Sequence, residues 1–372
     1  MFTAGLANAS LLCAPAIATQ LGTQLHFGSR QVGLFFSMEF GGYFVAGLIG
    51  RRLLPRFDWH FLAFAALAGL LAGTVATAYT LQIFALLLIV RLLTASCGAL
   101  LAVISLASAN HYPNASRAIG LYIVGQLLFG VMGLALLPAL FARWGINAYL
   151  VCIAVISLFA LAAIKYLSPD GARSESPSTG QRVIVSPWLK MRFPAIVLFY
   201  AALGGIWTFI ADIAKMASLD LLQSGRILSA ATVAGIFGAS AASLCGDRLK
   251  YRRAVEIGYI LLTMSGIALL FSSHLVAYLL AVLAFKFAWT FVIPYVFAII
   301  GSYDGDGRLV SDISWLSGLG LMIGPAIAGY LVARGDGFAV MLIVDTALIA
   351  LSGISVLCLT SLKGQRAIPA DP

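Results

Sequence analysis

Glu39, Arg91 and Lys286 stand near the middle of long apolar runs. A charge at the centre of a membrane-spanning helix costs about 2.5–3.5 kcal/mol on insertion scales, so each needs a partner or a task. Arg91 and Lys286 can each pair with an anion, supplied either by a ligand or by a protein carboxylate such as Glu39. Glu39 lies in Phe36-Ser37-Met38-Glu39-Phe40-Gly41-Gly42. A carboxyl group in such apolar surroundings is suited to carrying a proton, and a structural ion pair is the alternative. Asp212 and Lys215 are three residues apart. That spacing puts them on one helical face, as a local ion pair or as a second proton-coupling position at Asp212. Asp345 lies in the outer third of the last apolar run. Around Lys286 runs a dense aromatic stretch that includes Trp289 and Tyr295. It could line a ligand pocket or simply pack helices.

Other chemistries find little footing. The five cysteines sit in apolar runs with no CxxC spacing, and the four histidines fall at loops or edges. Neither set suggests a metal site or a cofactor. The chain has no HExxH, GxSxG or GxxxxGK[ST], so an enzyme is not expected.

The elements that must position these residues follow from composition. The 372 residues are 61% hydrophobic and 10% charged, with mean hydropathy +1.00. Soluble domains carry about a quarter charged residues. Long Leu/Ala/Gly-rich runs without alternation imply helices that close their own hydrogen bonds in lipid. Twelve such segments are predicted over 2–22, 31–50, 61–79, 82–107, 118–142, 146–165, 194–217, 226–246, 254–272, 275–300, 309–333 and 338–362. No Lys or Arg precedes residue 30, so 2–22 reads as a membrane segment and not a signal peptide. The net charge of +9 is placed in short loops and not in a nucleic-acid-binding stripe. With the N-terminus inside, Arg51, Arg52, Arg56, Arg117, Arg248, Lys250, Arg252, Arg253, Arg308 and the linker bases fall on one side. Both termini are therefore expected in the cytoplasm, against anionic lipids. The polar stretch 166–193 divides a six-helix bundle over 1–165 from another over 194–362, and 363–372 form a short tail.

An internal repeat is faint. At an offset of 191, Tyr112 meets Tyr303, Arg117 meets Arg308, and Gly133 meets Gly324. Arg91 and Lys286 differ by 286 − 91 = 195, close to that offset, so they are candidates for equivalent positions in the two halves. The loop Gly246-Asp247-Arg248-Leu249-Lys250-Tyr251-Arg252-Arg253 resembles the G-D-R-x-G-R-R signature of major facilitator transporters. The loop after the second segment, Gly50-Arg51-Arg52-Leu53-Leu54-Pro55-Arg56, has Arg51 where that family puts aspartate. Arg91 with Gly98 is similar to the family's R-x-x-x-G pattern, at a looser spacing.

The resemblance implies an all-α membrane fold of twelve helices in two pseudo-symmetric six-helix bundles, working by alternating access. In that fold the first, fourth, seventh and tenth helices line a central cavity, which would turn Arg91 and Lys286 toward an anionic substrate. It also implies a cytoplasmic gate, with Arg248 part of its loop, in which Asp247 reaches Arg117 at the start of the fifth helix. The departure at Arg51 implies that Arg51 or Arg52 reaches Asp304, Asp306 or Asp312 beside Arg308. Gly320, Gly324, Pro325 and Gly329 read as close helix packing.

The expected protein is a monomeric secondary transporter in a bacterial inner membrane. It would move a small, preferably anionic, metabolite with protons as coupling ion. Efflux of lipophilic compounds is the alternative, as is a non-transporting sensor built on the same fold. Cysteine tags placed in 166–193 are expected to react with an impermeant reagent only from the cytoplasmic side. Labelling from outside would overturn the helix count.

Overall fold

The computed structural model describes residues 2–110, 112, 114–166, 193–246, 249–301 and 308–366. Three short helices open the chain: α1 (Phe2–Ala7), α2 (Ala9–Leu12) and α3 (Ala14–Gln24). Then come α4 (Ser29–Leu53), α5 (Trp59–Thr80), α6 (Phe84–Asn110), α7 (Ala115–Trp144) and α8 (Asn147–Ala163). Beyond the linker follow α9 (Phe193–Ile213), α10 (Leu221–Cys245), α11 (Tyr251–Leu269), α12 (Leu275–Gly301), α13 (Arg308–Leu331) and α14 (Gly337–Arg366). The described residues contain no strand. Nine of their helices are long and apolar enough to cross a membrane. The other three predicted segments are the broken α1–α3 run, the 17-residue α8, and α11 with Arg252, Arg253 and Glu256 in its first turns.

Helix ends carry the expected chemistry. Asp58 caps α5 by accepting from the Phe61 N–H at 3.0 Å. Asp220 caps α10 in a reciprocal box with Gln223, at 2.7 and 3.1 Å. The opening segment departs from the continuous helix predicted over 2–22. The run breaks at Asn8 and again at Cys13, where ψ rises to 6° at both residues. Pro15, in the first turn of α3, has no N–H to return to the Leu11 carbonyl. Broken helices survive in lipid only where neighbouring groups take over the freed backbone, and here two side chains do so. The Tyr43 hydroxyl of α4 donates to Asn8 Oδ1 at 3.0 Å and reaches the Ala7 carbonyl at 3.3 Å. The Trp207 indole N–H of α9 donates to the Leu11 carbonyl at 2.8 Å.

Contacts between the two halves of the chain run through α4 with α13, α7 with α10, and α3 with α9. Small residues let these backbones approach, which is how helices gain dispersion energy where lipid offers no hydrophobic drive. A Cβ on Gly33 would strike the Pro325 carbonyl, and one on Gly329 would strike that of Ser29. Gly320 and Gly324 likewise lie on the backbone of α9 at Val197 and Ala201. Within the first half, Gly69 and Gly73 of α5 meet Cys97 and Thr94 of α6.

Substituting Gly33→Leu is expected to force α4 and α13 apart and cost about 1–3 kcal/mol, the usual range for overpacking. It should register as a lower Tm of the purified protein in detergent. Gly120→Leu is the control, since nothing lies within 4 Å of a Cβ there. Equal behaviour of the two variants would refute the packing role.

Candidate functional site

The first buried cation is already neutralised. Glu39 Oε2 on α4 accepts from Arg91 Nε at 2.7 Å and Nη2 at 2.6 Å. Both side chains are about 97% buried, 3% and 4% exposed. Arg91 Nη1 also donates to Thr77 Oγ1 of α5 at 3.4 Å. A cavity of about 20 Å³, room for about one water, lies against this pair. Its polar lining comes from Ser10, Glu39, Tyr43, Thr74, Arg91 and Tyr149. The Ser10 and Tyr149 hydroxyls are hydrogen bonded to each other. This is a polar knot inside the first half, joining α2, α4, α5, α6 and α8.

Lys286 is treated in the opposite way. Its Nζ stands 3.8 Å from the ring centroid of Trp207 and 4.0 Å from that of Trp289, and the residue is 3% exposed. The two indoles are themselves packed edge to face at 5.8 Å. Trp289 follows Lys286 by three residues on α12, and Trp207 arrives from α9. On the third side Gly235 of α10 leaves room for the lysine stem: a Cβ there would be 3.1 Å from Lys286 Cγ. Among the described residues no carboxylate pairs with this ammonium. Cation–π contacts of this desolvated kind are worth about 2 kcal/mol or more. They hold the Lys286 nitrogen without supplying an opposite charge, so its N–H donors stay unspent for an anion. Trp207 also donates to Leu11 of the other half, which puts the cage at the boundary between the halves.

The remaining candidates are placed as follows. Asp212 Oδ1 accepts from Lys215 Nζ at 2.6 Å and from Thr19 Oγ1 of α3 at 2.9 Å, a contact that crosses the halves. Tyr295 lies nine residues beyond Lys286, about 13 Å along α12, and its hydroxyl donates to the Ala242 carbonyl. It does not share the cage. Arg51, Arg52 and Arg117 are exposed. Asp247, Arg248, Asp304 and Asp306 lie outside the described residues, and the gate expected around them and around Arg308 and Asp312 stays a proposal.

Sequence reasoning missed Trp207, Asn8, Ser10 and Tyr149. Asn8 and Ser10 had a usable signal, as polar residues inside an apolar run ahead of Pro15. Trp207 had none, because no spacing links α9 to Lys286.

The family model of the Major Facilitator Superfamily matches residues 1–311. The fold is similar to that of the nucleoside transporter NupG, solved as a point mutant, with TM-score 0.78 at 12% identity. That match covers 97% of this chain and 97% of that one. It is also similar to a peptide transporter, POT, solved with sulfate, with TM-score 0.73 at 13% identity. There the cover is 98% of this chain and 93% of that one. No curated protein matches the sequence.

The Glu39–Arg91 geometry generates a double-mutant cycle. Arg91→Met alone leaves a buried carboxylate unpaired and is expected to destabilise the protein by about 3–5 kcal/mol. Glu39→Gln combined with Arg91→Met should lose much less than the sum of the single changes. Additive losses in denaturant midpoints would show that the pair does not act as a unit.

Proposed function

The chain belongs to the Major Facilitator Superfamily, and on that premise we propose that it is a secondary active transporter of small organic anions. The observation that carries the anionic preference is Lys286, buried between two indole faces with no carboxylate partner among the described residues. A buried ammonium left unpaired is costly, and an anionic substrate arriving at the cage supplies the missing charge. The Trp207 and Trp289 faces add planar apolar walls, which favour a substrate with a flat ring or conjugated group beside its acid. Arg91 is the weaker candidate, since Glu39 already holds its guanidinium. Its role in this reading is to fix the first half as a rigid body.

Alternating access requires that cross-half contacts break. Trp207 to Leu11 is one such contact, and it belongs to the cage. Thr19 to Asp212 is another, at the helix ends remote from the linker. Substrate charge drawn toward Lys286 would compete with the cage geometry and so be felt by the Trp207 latch. The transporter is read as a monomer in a bacterial inner membrane, both termini cytoplasmic, with bundles over 1–165 and 194–362. Protons are the proposed coupling ion. Glu39 and Asp212 remain candidates to carry them, but each already accepts from a cation.

The test is anion binding to the purified protein. A panel of small carboxylates and phosphates, with and without an aromatic ring, should quench tryptophan emission saturably. Lys286→Gln should lower the affinity by about ten- to a hundredfold, the worth of one hydrogen bond to a charged group. Lys286→Arg should retain part of it. If neutral lipophilic compounds bind instead and Lys286→Gln leaves them unaffected, the anion reading fails and efflux of lipophilic compounds takes its place.

A further inference from the structure

Among the described residues, Asp345 is the buried carboxyl group to which neither the ion pairs nor the cage gives a role. It lies on α14, eight residues from its first residue, hence about 12 Å along the helix. It is 1% exposed, and its Oδ2 has no hydrogen-bond partner. That oxygen points at Gly205 of α9, where a Cβ would come within 2.5 Å of it, with Ala328 of α13 alongside. Two turns further on, the same face of α14 presents Ser352. That hydroxyl donates to the Ala195 carbonyl of α9 at 2.7 Å and is also bonded to Tyr259. The α14–α9 seam therefore has one polar residue fully used and one left open.

We propose that Asp345 is a proton-binding site whose occupancy sets how closely α14 packs on α9, and through α9 the shape of the aromatic cage around Lys286. An ionised carboxylate without a partner in a dry seam is far more costly than the neutral acid. The close packing at Gly205 is therefore the form that holds the proton. Losing the proton creates a charge that must gain water or a donor, and α9 is the helix that must yield. Trp207 lies two residues beyond Gly205 on α9, on another face, so a shift of α9 at Asp345 displaces one wall of the cage.

No charged group of the described residues interacts with Asp345. On α9 the nearest ionisable residues are Tyr200 and Asp212, the latter held by Lys215. On α11 they are Tyr259, bonded to Ser352, and Glu256, paired with Arg252. On α13 Tyr330 lies beneath Arg334 at the far end. Thr346, next along α14, also has an unpartnered hydroxyl, but it faces Gly266 of α11 and not Asp345. A single free oxygen is a site for a proton and not for a metal cation, which needs several oxygens.

The inference rests on the cage reading for its consequence, but its test needs no substrate, so the two fail separately. Infrared spectra of the purified full chain at neutral pH are expected to show a protonated-carboxyl stretch that shifts in deuterium oxide and disappears in Asp345→Asn. Raising the pH should remove that band together with a change in the part of the tryptophan emission that Trp207→Phe eliminates. In Asp345→Asn that emission should no longer respond to pH. If Asp345→Asn fails to fold, wild type carrying carboxyl-labelled aspartate gives the same assignment, and Asp345→Glu should keep the titration. Identical bands in wild type and Asp345→Asn would overturn the site. So would a band abolished by sodium chloride at constant pH, which would make it a sodium site. A band that titrates while the Trp207 emission stays fixed would overturn the link to the cage.

Discussion

Inside a bilayer no water is on hand to satisfy a stray polar group, and that absence shapes every functional feature of this protein. Pro15 removes one backbone donor in the opening segment, and the freed Leu11 carbonyl must find another. It finds the Trp207 indole, seven helices away in sequence. That single hydrogen bond orients Trp207 and attaches α9 to the opposite half. It also supplies one wall of the site that holds Lys286. A local chain defect thus becomes a long-range constraint because solvent is unavailable to relieve it.

The same scarcity explains why the two buried cations, close to equivalent in the faint repeat, have different surroundings. Arg91 meets a carboxylate, a threonine and a water-sized cavity, all from the first half. A planar guanidinium suits such a fixed network of acceptors. Lys286 meets two indole faces, which stabilise a point charge while leaving its hydrogen-bonding capacity unspent. One cation is consumed by the scaffold, and the other, with no carboxylate partner among the described residues, is the one we propose for the ligand. The pseudo-symmetry of the fold therefore does not extend to its chemistry.

Much of the scaffold was legible in the sequence. Apolar run length places the helices, because spanning a hydrocarbon core of about 30 Å demands about twenty residues. Asp58 and Asp220 cap α5 and α10, but the predicted starts at 61 and 226 fall inside those helices, because hydropathy does not weigh a capping side chain. The breaks at Asn8 and Cys13 are not legible in hydropathy, which does not register a missing N–H at Pro15. The cage was half legible: Trp289 shares a face with Lys286 at a helical spacing, whereas Trp207 reaches it only through tertiary packing. Asp345 reads as structural from its position in the last segment. The lack of a partner for its Oδ2 depends on what α9 and α13 place opposite it, and no single-helix pattern encodes that.

These features converge on α9. Its small residues press against α13 at Gly204 and against Asp345 at Gly205. Its Trp207 bonds α2 and covers Lys286, and its last turn carries Asp212, bonded to Thr19 of α3. A helix so engaged on all sides cannot move at one contact without disturbing the others, since packed interiors transmit displacement and do not absorb it. The individual bonds are each worth only about 0.5–3 kcal/mol, which is the right scale for a device that must change state repeatedly. A stronger set would lock the halves together, and a weaker one would let charge at Lys286 and at Asp345 vary without reference to each other. Coupling between a ligand site and a proton site requires a shared element with two arrangements of similar energy. In the mechanism we propose, α9 is that shared element, since its contacts reach both Lys286 and Asp345.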